Sequence, residues 1–317
     1  MIYRRSFFGK ATLGALLILA TASVFAQETM LGVHGGPEIS STPGAVSVID
    51  QSNATYQILA NPVDGVGLTG VATDSNGRVF ASSASADYAQ SGPRLVEIDP
   101  ATGALLNDVG RLATALGNDC YIGDLSFQPG TDTLFAVAGN QGISPRCDQD
   151  FSPGGLLVTV NTSTAEVTVV GRDETLGNAN GGIAFAADGT LFFTPCWDSG
   201  GELLTIDPAT ADILTSTPIA DGSCFMGLGV RPSDGTLFGS FDYINSPSSV
   251  LVTLDPQTGA KTLIGEMNTE IVHDLTFANG FAPQPASPVP VLSWQAMLGL
   301  SVLLLLMASL IFRRLRT

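Results

Sequence analysis

The chain has 317 residues, with 13 Lys and Arg against 29 Asp and Glu, for a formal net charge of −16. Only 13% of it is charged while Gly (36) and Pro (18) are abundant, a composition that disfavours helical bundles and coiled coils. Six basic residues lie in the two ends, so residues 27–290 carry 7 basic and 29 acidic residues, and a domain of net charge −22 repels phosphate backbones and argues against a nucleic-acid partner.

Residues 1–26 read as a secretory signal. Arg4, Arg5 and Lys10 form a basic start, Ala11 to Ala20 an apolar stretch, and Val24-Phe25-Ala26 a small-residue cleavage site before Gln27. The apolar stretch is too short for a comfortable membrane span, which favours cleavage over an uncleaved anchor.

The next segments read as strands without a first partner. Met30 to Gly35 has the character of a second strand, Val46 to Asp50 of a third, and Tyr56 to Leu59 of a fourth. From residue 70 onward the sequence repeats itself. An apolar strand, a tight turn and a strand containing Leu-Phe or Val-Phe recur at Gly70 to Phe80, Asp124 to Phe135, Gly182 to Phe192 and Gly227 to Phe238. Asn-Gly and Asp-Gly pairs stand where a hairpin needs positive φ. A second hairpin follows each time around Ile-Asp-Pro-x-Thr-Gly or its variants, at Ile98 to Gly103, Val160 to Ser163, Ile206 to Thr210 and Leu254 to Gly259. Four short antiparallel strands in about 50 residues make one propeller blade.

Val71, Leu125, Ile183, Leu228 and Leu275 begin five such units, spaced 54, 58, 45 and 47 residues apart. The fifth, His273 to Phe277, has no second hairpin behind it, because a Pro-rich stretch begins at Ala282. The three N-terminal strands are the missing pieces. The sequence therefore predicts an all-β fold over 27–281, a single propeller of five four-stranded blades with N-terminal strands completing the last blade.

Four cysteines in an exported domain read as two disulfides. Cys120 and Cys224 precede first strands, while Cys147 and Cys196 follow second strands, so all four fall on one rim and the nearest pairings are Cys120–Cys147 and Cys196–Cys224. Zinc sites usually bring Cys-x-x-Cys spacing, which this chain lacks. On the same rim, Trp197, Tyr121, Phe225, Phe151 and Tyr243 either form a contact surface for a glycan or protein, or pack over the disulfides.

The candidate chemistry gathers at the channel mouth. Asp124 and Asp274 occupy equivalent repeat positions where the other blades have Gly70, Gly182 and Gly227, and the only two histidines, His34 and His273, fall on the last blade. Two readings stand side by side: the carboxylates and imidazoles hold Ca²⁺ or another divalent ion, or the two aspartates cap backbone amides of neighbouring strands. Asp74-Ser75-Asn76-Gly77 resembles part of a calcium loop but lacks the downstream Glu and reads as a turn.

At the C-terminal end, residues 282–290 form a Pro-rich stalk, 291–312 are 22 residues without a charge, long enough to span a bilayer, and 313–317 supply a basic tail that the positive-inside rule holds in the cytoplasm.

Two resemblances carry these readings further. Val289, Pro290, Val291, Leu292, Ser293 and Trp294, followed by the apolar helix and the Arg cluster, resemble the IPTL-CTERM group of exosortase-type sorting signals of Gram-negative bacteria, with Val in place of the group's Ile and Thr. That resemblance implies an inner-membrane-anchored precursor, recognition by an exosortase-like enzyme, and transfer to the cell surface or extracellular matrix. The repeats resemble exported bacterial propellers with Ile-Asp-Pro-x-Thr-Gly turns, a class that includes lactonase-like and quinoprotein-like relatives. Its motifs identify a scaffold. Two functions follow as expectations: a surface-sorted binding or structural module for a protein or glycan, or a metal-dependent lactonase-like hydrolase at the channel mouth, where lactonase-like propellers place a catalytic metal.

Overall fold

In the computed structural model the described residues are 28–36, 40–63, 66–83, 93–112, 121–139, 155–173, 176, 181–196, 201–242, 249–267 and 271–278. Three strands come first: β1 (Thr29–His34), β2 (Val46–Ile49) and β3 (Tyr56–Ala60). Blade 1 then holds β4 (Leu68–Thr73), β5 (Val79–Ser83), β6 (Arg94–Ile98) and β7 (Leu105–Arg111). Blade 2 holds β8 (Tyr121–Gln128), β9 (Thr133–Gly139), β10 (Gly155–Val160) and β11 (Val167–Asp173). Blade 3 holds β12 (Ile183–Phe185), β13 (Leu191–Phe193), β14 (Glu202–Ile206) and β15 (Ile213–Pro218). Blade 4 holds β16 (Phe225–Val230), β17 (Leu237–Asp242), β18 (Val250–Leu254) and β19 (Lys261–Glu266), and a final strand β20 (Val272–Ala278) ends the domain.

The sheets are five, each of four strands, and the fifth has the order β20-β1-β2-β3. The N-terminal strands thus complete the last blade, as the broken repeat predicts. Met30 pairs with Phe277 and Gly32 with Leu275, antiparallel, so β1 and β20 close the ring. The first strands touch one another in a closed circle, β4 to β8 to β12 to β16 to β20 and back to β4. The fold is a five-bladed β-propeller.

Packing follows from the alternation of side chains along these strands. One face of each first strand packs on the preceding blade and the other on the following blade, so the core divides into one apolar cluster per blade interface. Leu125 packs with Phe80, Leu95 and Ala136 between blades 1 and 2. Val71 packs with Leu31, Val33 and Val46 between blades 5 and 1. The aromatic residue of the second strand meets a Phe two residues past the first-strand apolar position of the next blade: Phe80 with Phe127 at 5.9 Å, Phe135 with Phe185 at 5.2 Å, and Phe238 with Phe277 at 5.6 Å between centroids. These tilted and edge contacts suit ring quadrupoles.

The Asp-Pro turns have a local cause. Asp99 Oδ1 accepts the Ala101 amide at 2.9 Å and Asp255 Oδ1 the Gln257 amide at 2.8 Å, while Gly103 and Gly259 adopt φ of 72° and 67°. Asn161 replaces the aspartate in blade 2 and accepts the Ser163 amide at 2.8 Å, so the turn survives the change of sequence.

The Cys196–Cys224 disulfide is formed, with Cα atoms 5.3 Å apart, and joins the end of β13 to the start of β16 across two blades. Both cysteines are buried beside Met226 and Ile271. Cys120 and Cys147 lie outside the described residues. Cutting the described bridge by Cys196→Ser is expected to lower unfolding free energy by about 2–4 kcal/mol, because it frees a closed loop with a sequence separation of 28. Urea denaturation checks this, and an unchanged midpoint would show that the core alone holds blades 3 and 4 together.

Among the described residues no helix is long and apolar enough to cross a membrane. The signal (1–26), the stalk, the charge-free segment 291–312 with Val289 to Trp294, and the basic tail lie outside those residues.

Candidate functional site: a carboxyl pair in the propeller channel

Five equivalent positions on the first strands decide the geometry of the channel: Gly70, Asp124, Gly182, Gly227 and Asp274. Each stands just before the apolar residue that starts its repeat, and each has only the neighbouring blade in front of it. A Cβ on Gly182 would lie 2.6 Å from the Leu228 amide nitrogen, and one on Gly227 would lie 2.4 Å from the Cα of Asp274. Close approach of backbones forbids a side chain there. The choice at this position is matched across the hairpin. The glycine blades place a hydroxyl opposite (Ser82, Thr194, Ser240), whereas the aspartate blades place valine (Val137, Val33).

Asp124 and Asp274 are both fully buried. Asp124 Oδ1 accepts the Leu125 amide and Oδ2 the Ile183 amide, each at 2.6 Å. Asp274 Oδ1 accepts the Leu275 amide at 2.6 Å and Oδ2 the Val71 amide at 2.5 Å, and the Leu228 amide also donates to this carboxyl. Those five donors are the five equivalent first-strand residues, one from each blade. The innermost strand of a blade is a sheet edge, so its axis-facing N–H groups need acceptors. Two carboxyl groups satisfy all five.

The carboxyls also hydrogen-bond each other. Burial and the neighbouring negative charge of Asp274 push Asp124 well above the ordinary carboxyl range, so the two carboxyls share a proton between them. Burial raises Asp274 to about 7, opposed by the hydrogen bonds from Asp124 and the amides.

This geometry matches the reading in which the aspartates cap neighbouring strands. A divalent ion fits it badly: every amide dipole in the ring points its positive end at the carboxyl oxygens, where a cation would have to sit. The histidines are held elsewhere. His34 is buried with Nδ1 at 3.0 Å from Thr42 Oγ1 and Nε2 at 3.0 Å from Ser47 Oγ. His273 Nδ1 lies 2.9 Å from the Thr69 carbonyl oxygen and donates to it, bridging blade 5 to blade 1. Burial lowers His273 to about 4, so it is neutral at physiological pH. Among the described residues no three His, Cys, Asp or Glu side chains gather as a metal site. The structure thus brings Asp124 and Asp274 together and engages His34 and His273 in separate structural contacts.

Two other sequence expectations resolve locally. Asp74 Oδ1 accepts the Asn76 and Arg78 amides at 2.9 Å each and Oδ2 pairs with Arg78 Nε at 2.7 Å, so this segment is a turn. Phe225, one of the rim aromatics, is fully buried among Leu203, Leu228 and Val252 and packs as core. Trp197, Phe151 and Tyr243 lie outside the described residues.

Below the carboxyl pair the channel widens into a cavity of about 310 Å³ that opens on the face of the first-to-second-strand turns, with Thr73, Phe127, Gln128 and Thr276 in its walls. Inspection for paired acids and histidines misses this cavity. The signal that could have found it is the small residue after each apolar position: Ala72, Ser126, Ala184, Gly229 and Thr276.

A pH dependence follows from the pair. Its folded-state affinity for the proton exceeds that of an unfolded carboxyl, so its contribution to stability is full below about pH 4 and is lost as pH rises through about 7. The slope is about 1.4 kcal/mol per pH unit for one proton. Asp132, Asp188 and Asp255 are shifted the other way by hydrogen bonds from Ser75, Thr190 and Gln257, and Asp234 by Arg231, so these lose stability as pH falls below their ordinary range. Neutral, buried His273 works against the pair between about pH 4 and 6.5, because its unfolded form takes up a proton there and the folded form does not, so the two slopes offset and the decline of the pair shows alone only above about pH 6.5. Asp124→Asn, which keeps one donor and one acceptor without a titrating proton, isolates the pair: the advantage of the parent over the variant in urea midpoint is expected to shrink between pH 4.5 and 7.5. An equal slope in the variant would assign it to other groups.

No family profile matches the chain, and no curated protein matches it. Among solved structures it is similar to a protein of unknown function from Bacteroides caccae, with 12% identity and a TM-score of 0.43 over 80% of this chain and 99% of that one. It is similar to TolB from Acinetobacter baumannii at 10% identity and a TM-score of 0.44, covering 80% of this chain and 67% of that one. A gluconolactonase from Xanthomonas campestris is similar at 14% identity and a TM-score of 0.44, covering 81% of this chain and 85% of that one. At these TM-scores the likenesses carry no argument about function, and the fold assignment rests on the strand topology itself.

Proposed function

We propose that this chain is an exported, surface-sorted propeller that works as a binding or structural module for a protein or glycan, and that its channel is a structural hub instead of a lactonase-like metal centre. The observation that carries the reading is the saturation of Asp124 and Asp274 by five blade amides. A carboxyl whose lone pairs are committed to backbone donors has little left for a metal or a nucleophilic water. The buried Cys196–Cys224 bridge supports an oxidising, exported setting.

Calorimetry of the soluble domain with Ca²⁺, Zn²⁺ and Mn²⁺, alongside a lactone and phosphoester panel, tests the channel. Metal-dependent turnover abolished by Asp124→Asn would overturn the structural reading. Capture of a defined protein or glycan by the same domain, without turnover, supports it.

Sorting is a separate element of the proposal, motivated by Val289 to Trp294, the charge-free span and the Arg cluster. Pro290→Ala with Trp294→Ala is expected to accumulate as a longer, membrane-retained species, read by intact mass. A mature surface form that still carries Arg313 to Thr317 would leave a simple anchor in place of a sorting signal.

A further inference from the structure

The cavity below the carboxyl pair repeats the chemistry of the hub one step further along the strands. Along an antiparallel edge strand, alternate residues turn both N–H and C=O to the free side. The Val71, Leu125, Ile183, Leu228 and Leu275 amides face the axis, so by that alternation the residues two further on do the same: Thr73, Phe127, Phe185, Val230 and Phe277. All five line the cavity. At the first level two carboxyls satisfy the ring. At the second, the Phe185 amide meets Ser126 Oγ at 3.0 Å, and the aspartates of the lining, Asp74 and Asp132, sit in the turns engaged with Arg78 and Ser75. The hydroxyls of Thr73 and Thr276, 3.0 Å apart, add groups that can both donate and accept.

We propose that this cavity binds one neutral, hydroxyl-rich ring, the terminal residue of an uncharged glycan. The inference rests on the binding-module reading and names its ligand class and site. A ring of strand-edge N–H and C=O groups needs a ligand that accepts and donates in alternation, which sugar hydroxyls do. Anions are disfavoured by Asp74 and Asp132 at the mouth and by the domain charge of −22 over residues 27–290. Apolar ligands would leave the strand-edge groups unpaired. The flanks of Phe127, Phe185 and Pro232 supply apolar surface for the ring's C–H faces. The volume of about 310 Å³ is at the small end of ligand pockets, sized for one ring plus water.

The test is titration of the soluble domain with glucose, galactose, mannose and N-acetylglucosamine, set beside glucuronate and glucosamine, by calorimetry and amide NMR. At least one neutral sugar is expected to bind, with glucuronate at least tenfold weaker. Ala187→Trp, at an exposed position on the cavity wall, should weaken that sugar at least tenfold, while Ala101→Trp on an outer turn should leave it unchanged. Thermal melts of both variants within a few degrees of the parent show that folding is intact. Binding that survives Ala187→Trp would overturn this site and leave the module reading standing. Capture of a protein partner with no response to any sugar would overturn the ligand class. A cavity that holds only water across the whole panel overturns the proposal.

Discussion

Asp124→Leu is expected to destabilise the domain by about 2–6 kcal/mol, the cost of leaving two buried backbone amides without an acceptor at about 1–3 kcal/mol each. The substitution orphans the amides of Leu125 and Ile183, each now facing an apolar side chain, and leaves Asp274 without the proton it shares. It does so at the one level where all five blades meet. Asp124→Asn is the informative control: its carbonyl oxygen still accepts one amide and its NH2 still donates to Asp274, but that NH2 faces the other amide, so it should recover only part of the loss. Urea unfolding at pH 5 measures both. If leucine is tolerated within about 1 kcal/mol, water must replace the carboxyl as acceptor, and the hub is far less important than its burial implies.

A larger loss is expected from removal of residues 27–34. That deletion takes β1 out of the last blade, strips Met30, Leu31 and Val33, all fully buried, from two blade interfaces, and leaves β20 and β2 without their shared neighbour. Burial of three such side chains alone amounts to roughly 1.5–3 kcal/mol each. The ladder hydrogen bonds add to this, and the sum approaches the whole stability of a typical domain, about 5–15 kcal/mol. The truncated chain is expected to show no cooperative melt and to bind a hydrophobic dye. Adding a peptide of residues 27–36 should restore a melt, since it supplies the missing β1. A truncated domain that unfolds cooperatively without the peptide would mean four blades close by themselves.

Most of the architecture was legible in the sequence because propeller blades repeat, and repetition shows itself without coordinates. The unmatched fifth unit at His273 and the three orphan strands near the start pointed to the same closure that Met30 and Phe277 make. The role of Asp124 and Asp274 was only half legible. Their equivalence within the repeat could be read, and so could the amide-capping alternative. That their carboxyls meet across the axis depends on the channel's width, which blade number and packing fix, and no local motif states it. His34 and His273 were correctly assigned to the last blade, but ring direction comes from partners far along the chain: Ser47 for one, the Thr69 carbonyl for the other. The pairing of glycine with hydroxyl and aspartate with valine was present in the sequence and becomes visible only once strand register aligns Gly70 with Ser82 and Asp274 with Val33.

The pairing of β1 with β20 also sets an order of events for the growing chain. Gly32 and Leu275 are neighbours in space but about 240 residues apart in sequence, so the strand that opens the domain waits for the strand that ends it. Blades 1 to 4 can each form from local hairpins as they emerge. During that interval β1 to β3 stand as a three-stranded sheet whose inner edge is open to pairing with any other chain. Closure becomes available only when the chain has emerged through residue 278. A chain stalled before that point would be held with its most adhesive edge exposed.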